Sequence, residues 1–347
     1  PLARTMTQAV IDLVVARHPR LSCQMNVWNS PVSEAAKKDE PFVAASRGEI
    51  EFLEAQLLQE QARLVVVEAA DMVLPLPEEL AVVCVPDRAA PYDAFLNRNG
   101  LIMDEMDPGS RVGVLSMRSR SQMQAKWPDL HFEILRGGVD RAMETHMRRT
   151  EMDGLVVPAA VTEHLGIQGI VVEIFAPEFI LPGPGQGILA VIGRAGDSEA
   201  RELLAGLHSD DTAIELETEQ AFCRRMISDQ DLPVGALARV AGGEVVITGA
   251  TGSGSNRISV NGETGMALAV GSGLAQQILE RGDSFADLLE ADFPDGLPDE
   301  GDDEDAIILD EIEEDVDAAP AAEVGEDPDE MEHLKSLEDL AGIDETA

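Results

Sequence analysis

A chain of 347 residues is more than twice a typical single-domain length, so two or three domains are expected, and 44% hydrophobic content leaves enough apolar material for sizeable cores. Its 66 acidic residues against 25 Lys and Arg give a formal charge of -41, which argues against a nucleic-acid backbone as a non-specific partner, because phosphates are bound by cationic patches. No apolar run approaches the roughly 20 residues of a membrane span, the longest being pieces such as AVVCV and ILAVI.

Residues 5–17 (TMTQAVIDLVVAR) carry apolar residues at helical spacing, and 49–61 reads as a second helix rich in Leu and Glu. ARLVVVEAA at 62–70 reads as a buried strand, followed after a Pro-punctuated loop by the strand LAVVCV at 80–85. Past PYDAF at 91–95, SRVGVLS is a strand ending in Ser116, and a helix runs from about Arg118 to Ala125. LHFEIL at 130–135, DGLVVPA at 153–159 and IVVEIFA at 170–176 continue a strand–helix alternation, the signature of parallel α/β sheets. PGPGQG at 182–187 is a tight loop leading into the strand GILAVIG, and helices follow at 198–207 and 212–227. The stretch 235–290 changes character: LARVA, EVVITGA, NRISV and TGMALAV read as short strands between Gly-rich turns, closed by the helix GLAQQILERG. The expected architecture is a two-lobed α/β body carrying a small α+β domain.

From Ala291 onward the chain holds 24 acidic residues and one lysine, a self-repelling segment with few aromatics that is expected to be disordered. Two apolar stretches interrupt it, Ala306-Ile307-Ile308-Leu309 and the series Met331, Leu334, Leu337, Leu340. The second has helical spacing and reads either as a docking helix for a protein partner or as transient helix in a solubilising tail. The remaining 290 residues carry a net charge of -18, and their cations are 21 Arg against 3 Lys. Such surfaces suit a salt-rich cytoplasm, where self-repulsion is screened; a high-GC coding bias would also replace Lys with Arg. The first residues show no charged region followed by an apolar one, so no signal peptide is expected, and a start at Pro1 suggests a fragment or trimmed product. Cys23, Cys84 and Cys223, odd in number and widely spaced, suit a reducing cytoplasm better than a disulfide framework.

GATGSGSN at 249–256 lies between two short strands without a following helix or a Lys-Ser/Thr end, so it reads as a hairpin turn and not as a phosphate loop. The six histidines form no HExxH and no Cys/His pairing, and 302–305 lacks the spacing of a calcium loop, so no metal is expected. What remains is an ordered series: PLA…Q…HPRL at 1–21, Asp71 after a buried strand, VPDRAAPYDAFL at 85–96 and VGVLSMRS at 112–119. WPDL…ILRGGVDR at 127–141, AAVTEHLG at 159–166, LPGPGQG at 181–187, ARELLAGLHSDDTAIELETEQAF at 200–222 and LPVGALA at 232–238 follow.

In this order and spacing the chain closely resembles the porphobilinogen deaminase (hydroxymethylbilane synthase) family, from Pro1 to about Gly282. The resemblance implies two periplasmic-binding-protein-like α/β lobes joined by hinges, plus a small α+β domain. The domain expectation is 1–87 with 188–206 as lobe 1, 88–187 as lobe 2, 207–288 as the small domain and 289–347 as the acidic tail. It also implies the head-to-tail polymerisation of four porphobilinogens, with release of ammonia, on a dipyrromethane cofactor held by a thioether to a cysteine. Each such step leaves an azafulvenium cation, which a carboxylate between pyrrole N–H groups can stabilise while orienting both rings. Asp71 stands at that position; taken alone it is an Asp opening a surface loop. The acetate and propionate groups of the pyrroles call for forked arginine donors. By the resemblance Arg118 and Arg136 bind cofactor carboxylates, Ser116 is a hydroxyl donor, and Gln186 and Gly187 form the hinge loop whose backbone approaches the cofactor. Outside it, Arg118 is an ordinary helix-start arginine and RGG at 136–138 an ordinary turn.

The departures from the family pattern concern the anchor and the cations. Gln230 stands at the position of the cofactor-bearing cysteine and has no thiolate to form the thioether. Ala70 replaces a lysine, Ser119 the second of paired arginines (Arg120 follows), Val114 a threonine, and Ala142 an arginine, with Arg141 adjacent. Ala45-Ser46-Arg47-Gly48 stands for the Gly-Lys-Gly of a flexible lid. Cys223, seven residues before Gln230 and among Ala221, Phe222 and Met226, is either a substitute anchor or a buried structural thiol. The expectation is a deaminase-type transferase of porphyrin biosynthesis with impaired turnover. Its alternatives are an inactive pseudoenzyme binding a pyrrole or another small anion, and a tail-mediated interaction protein. Expected partners are porphobilinogen or a related anionic pyrrole and a protein for the tail, with no nucleic acid, no membrane and no metal; the chain is expected to be a cytoplasmic monomer.

Overall fold

Three sheets collect the apolar strands, each against its own helices. The computed structural model describes residues 2–28, 42–72, 75–135, 139, 142–143, 152–226 and 233–281. The acidic tail, Arg136, Arg141 and Gln230 lie outside the described residues.

In the first sheet, β8 (Leu189–Arg194) runs between β1 (Leu64–Glu68) and β2 (Leu80–Cys84), antiparallel to both. Alternation along these strands feeds two cores. Val65, Val67, Ala190 and Ile192 pack against Ile50 and Leu57 of α2 (Phe42–Leu58). Val83, Cys84 and Val191 pack on the other face against Val10 and Val14 of α1 (Leu2–Arg17) and Leu204 of α5 (Ser198–Leu204). Helix α2 begins at Phe42 and not at 49, so the 45–48 stretch expected as a lid is helical.

The second sheet contains β3 (Asp93–Leu96), β4 (Arg111–Val114), β5 (His131–Ile134), β6 (Gly154–Pro158) and β7 (Val171–Ile174) in the order β5-β4-β6-β3-β7. Phe95 faces Val112, Val114, Phe132, Val156 and Met123 of α3 (Met117–Lys126), whereas its neighbour Leu96 faces Leu115, Leu155, Val157 and Val161 of α4 (Ala159–His164). Strand β4 is parallel to β5 and β6, but β3 is antiparallel to β6 and β7. The expectation of parallel sheets is therefore corrected to a first sheet whose two ladders are antiparallel and a mixed second sheet. The chain leaves the first sheet after β2 and returns at β8, and the strand inserted at each crossing, β3 and then β8, runs against its neighbours. Alternation of strand and helix does not record such a crossing.

The third sheet is an antiparallel meander of β9 (Val234–Ala241), β10 (Glu244–Thr251) and β11 (Ile258–Glu263). Phe222 of α6 (Asp210–Met226) and Leu274 and Ile278 of α7 (Ala267–Glu280) fill its core with Val245 and Ile247. TGMALAV, expected as a strand, forms a 3-10 turn at Thr264–Met266 and the first residues of α7. Met266, Leu268 and Val270 alternate like a strand, but the buried positions Ala267, Gly271, Leu274, Ala275 and Ile278 follow the helical period. The 252–257 turn joins β10 to β11, with Asn256 Oδ1 accepting from the Thr251 amide at 3.0 Å.

Candidate functional site

Strand β1 ends in a 3-10 turn, Ala69–Asp71, which presents Asp71 beside the two crossings between the first and second sheets. The Ala69 amide donates to the Ile188 carbonyl at 2.8 Å, and this ties the turn to the 182–188 loop. Gly185 sits so close that a Cβ there would lie 2.9 Å from the Ala69 carbonyl carbon and the Ala70 nitrogen, at φ +78°. Gly187, at φ +75°, is as tight against the other crossing: a Cβ would stand 3.0 Å from the Ala89 and Ala90 oxygens. The Ala89 amide donates to the Gly187 carbonyl at 2.8 Å. Only residues without a side chain allow three backbone segments to meet here at positive φ.

Arg118 and Gln186 meet, but on a protein partner. The Arg118 guanidinium is bidentate to Asp93, with Nη1 at 2.8 Å and Nη2 at 3.1 Å, and is 7% exposed. It also donates to the Leu181 carbonyl, the Ser119 hydroxyl and Gln186 Oε1, while Gln186 Nε2 donates to Asp93 at 2.9 Å. Ser116 caps α3: its hydroxyl accepts from the Ser119 amide at 3.1 Å. The Gln186 carbonyl accepts from Arg88 at 2.9 and 3.1 Å. Arg88 in turn grips Glu219 of α6 at 2.6 Å and Glu215 at 3.3 Å. Burial pulls the Arg88 guanidinium down in pKa, but Glu219 and Glu215 outweigh it and the net direction is up. Fully buried Glu219 also accepts from the Gly185 and Ala238 amides at 2.6 and 2.7 Å, so one carboxylate joins the 182–188 loop, the 88 crossing and the third sheet.

Glu68 and Asp71 are partly covered at the surface but densely surrounded, and burial is the main cause that raises both carboxyls above their ordinary range. Asp71 adds to the rise at Glu68, and Glu49 of α2 adds to the rise at Asp71; the Gly187 amide, donating to Glu68 Oε1 at 3.4 Å, works against it. Among the described residues neither carboxyl forms an ion pair with Arg or Lys. Position 142, an arginine in the family pattern, holds an alanine 1% exposed in the core with Val139 and Met143. Burial, with Glu219 beside it, pushes the half-buried Cys223 thiol up to about 11, which makes it a poor nucleophile. Among the described residues the Arg118 fork is engaged by Asp93 and the Cys223 thiol in α6 is deactivated. What the arrangement offers is a carboxyl acceptor for N–H donors on a rigid turn. Sequence reasoning missed Glu68, Asp93, Glu215 and Glu219; Asp93 and Glu219 lie within the PYDAF and ETEQAF motifs, which were their available signal.

The sequence model of the family described as "Porphobilinogen deaminase, dipyromethane cofactor binding domain" matches residues 2–202. Porphobilinogen deaminase of Roseiflexus sp. (strain RS-1) is 31% identical over 286 residues, covering 81% of this chain and 93% of its own. That of Roseiflexus castenholzii is 32% identical with the same coverage, and that of Brevibacillus brevis is 31% identical over 242 residues, 68% of this chain and 78% of its own. Among solved structures, the methionine-binding protein MetQ aligns with a TM-score of 0.33 at 13% identity, over 51% of this chain and 84% of its own. The Bordetella pertussis BvgS VFT2 domain aligns with a TM-score of 0.33 at 13% identity, over 57% of this chain and 75% of its own.

Proposed function

The chain belongs to the porphobilinogen deaminase family, and on that premise we propose that it is a deaminase-type transferase of tetrapyrrole biosynthesis with impaired turnover. Asp71 is the observation that carries this reading: a carboxylate on a glycine-clamped turn, free of any arginine or lysine ion pair among the described residues. Porphobilinogen would lose ammonia from its aminomethyl carbon, leaving an azafulvenium cation that the next pyrrole attacks with loss of a ring proton. Asp71 would accept the pyrrole N–H groups, offset the cation's charge and orient the rings. Gln230, Ala70, Ser119 and Ala142 support the impairment, since they remove one thiol and three cations from the family pattern. Free Cys23, Cys84 and Cys223 support a reducing, cytoplasmic setting, and the two lobes with a small domain and a monomeric state are part of the same proposal.

A second reading, a pseudoenzyme that binds a pyrrole without turnover, is favoured by the buried Arg118–Asp93 pair, because that arginine is engaged before any ligand arrives. Ammonia release from porphobilinogen, with oxidation of the product to porphyrin, decides between them. The expected outcome is slow ammonia release that Asp71→Asn lowers by about a hundredfold, the scale of losing one stabilising group in the transition state. No release, but a porphobilinogen-dependent rise in Tm, would replace the enzyme by the binding module. Neither effect would favour the tail-mediated role.

A further inference from the structure

We infer that Glu219 of α6 is a positioning residue for Asp71: its carboxylate pins the 182–188 loop against the turn at the end of β1. This deepens the reading of Asp71 given above and rests on it. The link is a continuous chain of hydrogen bonds. Glu219 Oε2 accepts from the Gly185 amide at 2.6 Å, the Gly185 carbonyl from the Ile188 amide at 3.1 Å, and the Ile188 carbonyl from the Ala69 amide at 2.8 Å. Ala69 opens the 3-10 turn that ends in Asp71. Gly185 also abuts the Ala69–Ala70 peptide, where a Cβ would stand 2.9 Å from the carbonyl carbon and the nitrogen. The loop thus holds the turn by a bond and by contact. Among the described residues the Gly185 amide has no backbone acceptor, so the carboxylate alone fixes it.

The chemistry of the contacts calls for two oxygens at this position. Oε1 accepts from the Ala238 amide at 2.7 Å and Arg88 Nη1 at 2.6 Å. Oε2 accepts from the Gly185 amide at 2.6 Å and, at 3.2 Å, from Arg88 Nη2. Two short donors therefore meet at Oε1 and one at Oε2. A glutamine of the same shape would keep its oxygen on the Oε1 side and turn its NH2 group toward the Gly185 amide. Glu219→Gln thus releases the loop while keeping the third-sheet contact, and it leaves a buried N–H without an acceptor. Glu215, one turn earlier on α6, is the control. It accepts from the Val240 amide at 3.2 Å, from Arg239 at 3.0 Å and from Arg88 at 3.3 Å, so it meets the same arginine and the same sheet. Among the described residues it has no hydrogen bond to the 182–188 loop.

The test compares the whole chain as wild type, Glu219→Gln and Glu215→Gln, by amide hydrogen exchange and by ammonia release from porphobilinogen. Glu219→Gln should speed exchange at Ala69 about tenfold more than Glu215→Gln does. It should also lower kcat about tenfold with KM within about twofold, the pattern of a transition-state group moved slightly out of place. Glu215→Gln should lower Tm but keep kcat within about twofold of wild type. In an Asp71→Asn background, Glu219→Gln should cost less than about threefold more, because both changes remove one interaction. Wild type supplies a measurement that needs no variant to fold. There the Gly185 and Ala69 amides should open together, with opening constants within about threefold of each other. Three results would overturn the proposal: Ala69 opening far more often than Gly185, equal exchange at Ala69 in the two variants, or fully additive losses with Asp71→Asn. If wild type releases no ammonia, the deaminase reading fails while exchange at Ala69 still decides whether Glu219 holds the turn.

Discussion

Asp93 answers both Arg118 and Gln186 inside the protein, so its removal strands a buried guanidinium. Asp93→Ala is expected to cost about 3–5 kcal/mol of stability, the range for leaving one partner of a buried ion pair uncompensated. Urea denaturation checks this; a loss under about 1 kcal/mol would mean that solvent reaches Arg118 and that its fork is available to ligands after all. The anchor position makes a second prediction. Gln230→Cys alone should neither gain the mass of a covalent dipyrromethane nor recover full turnover, because Ser119 and Ala142 still leave ligand carboxylates without arginines. Mass spectrometry and the ammonia assay read the two halves separately. An adduct on Cys223 in the wild type would contradict the deactivated thiol described here.

The clamp around the 182–188 loop can be tested against a glycine of similar conformation elsewhere. Gly187 and Gly243 have φ of +75° and +85°, but a Cβ at Gly243 meets nothing within 4 Å. Gly243→Ala should cost only the left-handed penalty of about 1–2 kcal/mol. Gly187→Ala should cost more, because its Cβ must also push back the Ala89 and Ala90 carbonyls. Equal costs, compared by thermal melts, would show that the crossings are loosely packed. Elements such as β1, β6 and β8 are legible in the sequence because each holds a run of adjacent apolar residues, LVVV, LVV and LAVI. β3 is not, since DAFL is only four residues long and opens with an aspartate that it carries into the sheet. Asp71, Gln186 and Gly187 are legible through motif order alone. Their partners are hidden because the contacts span the chain: Arg88 and Glu219 are 131 residues apart, and Arg118 and Asp93 are 25 apart on different elements.

Charge acts on the molecule as a whole. The first 290 residues carry a net -18, whose self-repulsion opposes compaction, so added monovalent salt should raise Tm up to the screening limit. The rise should persist when residues 291–347 are removed, and that truncation should leave cooperative unfolding intact because the segment has few apolar groups to bury. A Tm indifferent to salt between roughly 0.05 and 1 M would remove the case for a salt-adapted surface. The position of β8 sets a different constraint, one of time. β1 and β2 pair with β8 and not with each other, and β8 starts at Leu189, whereas β2 ends at Cys84. On a ribosome adding about 5–20 residues per second, the first two strands would wait on the order of 5–20 s for the strand that joins them. The second sheet is complete by Ile174 and can close in the meantime. Residues 64–84 are thus exposed longest during synthesis, and a chaperone acting on this protein at that stage should crosslink to them before it crosslinks to the second sheet.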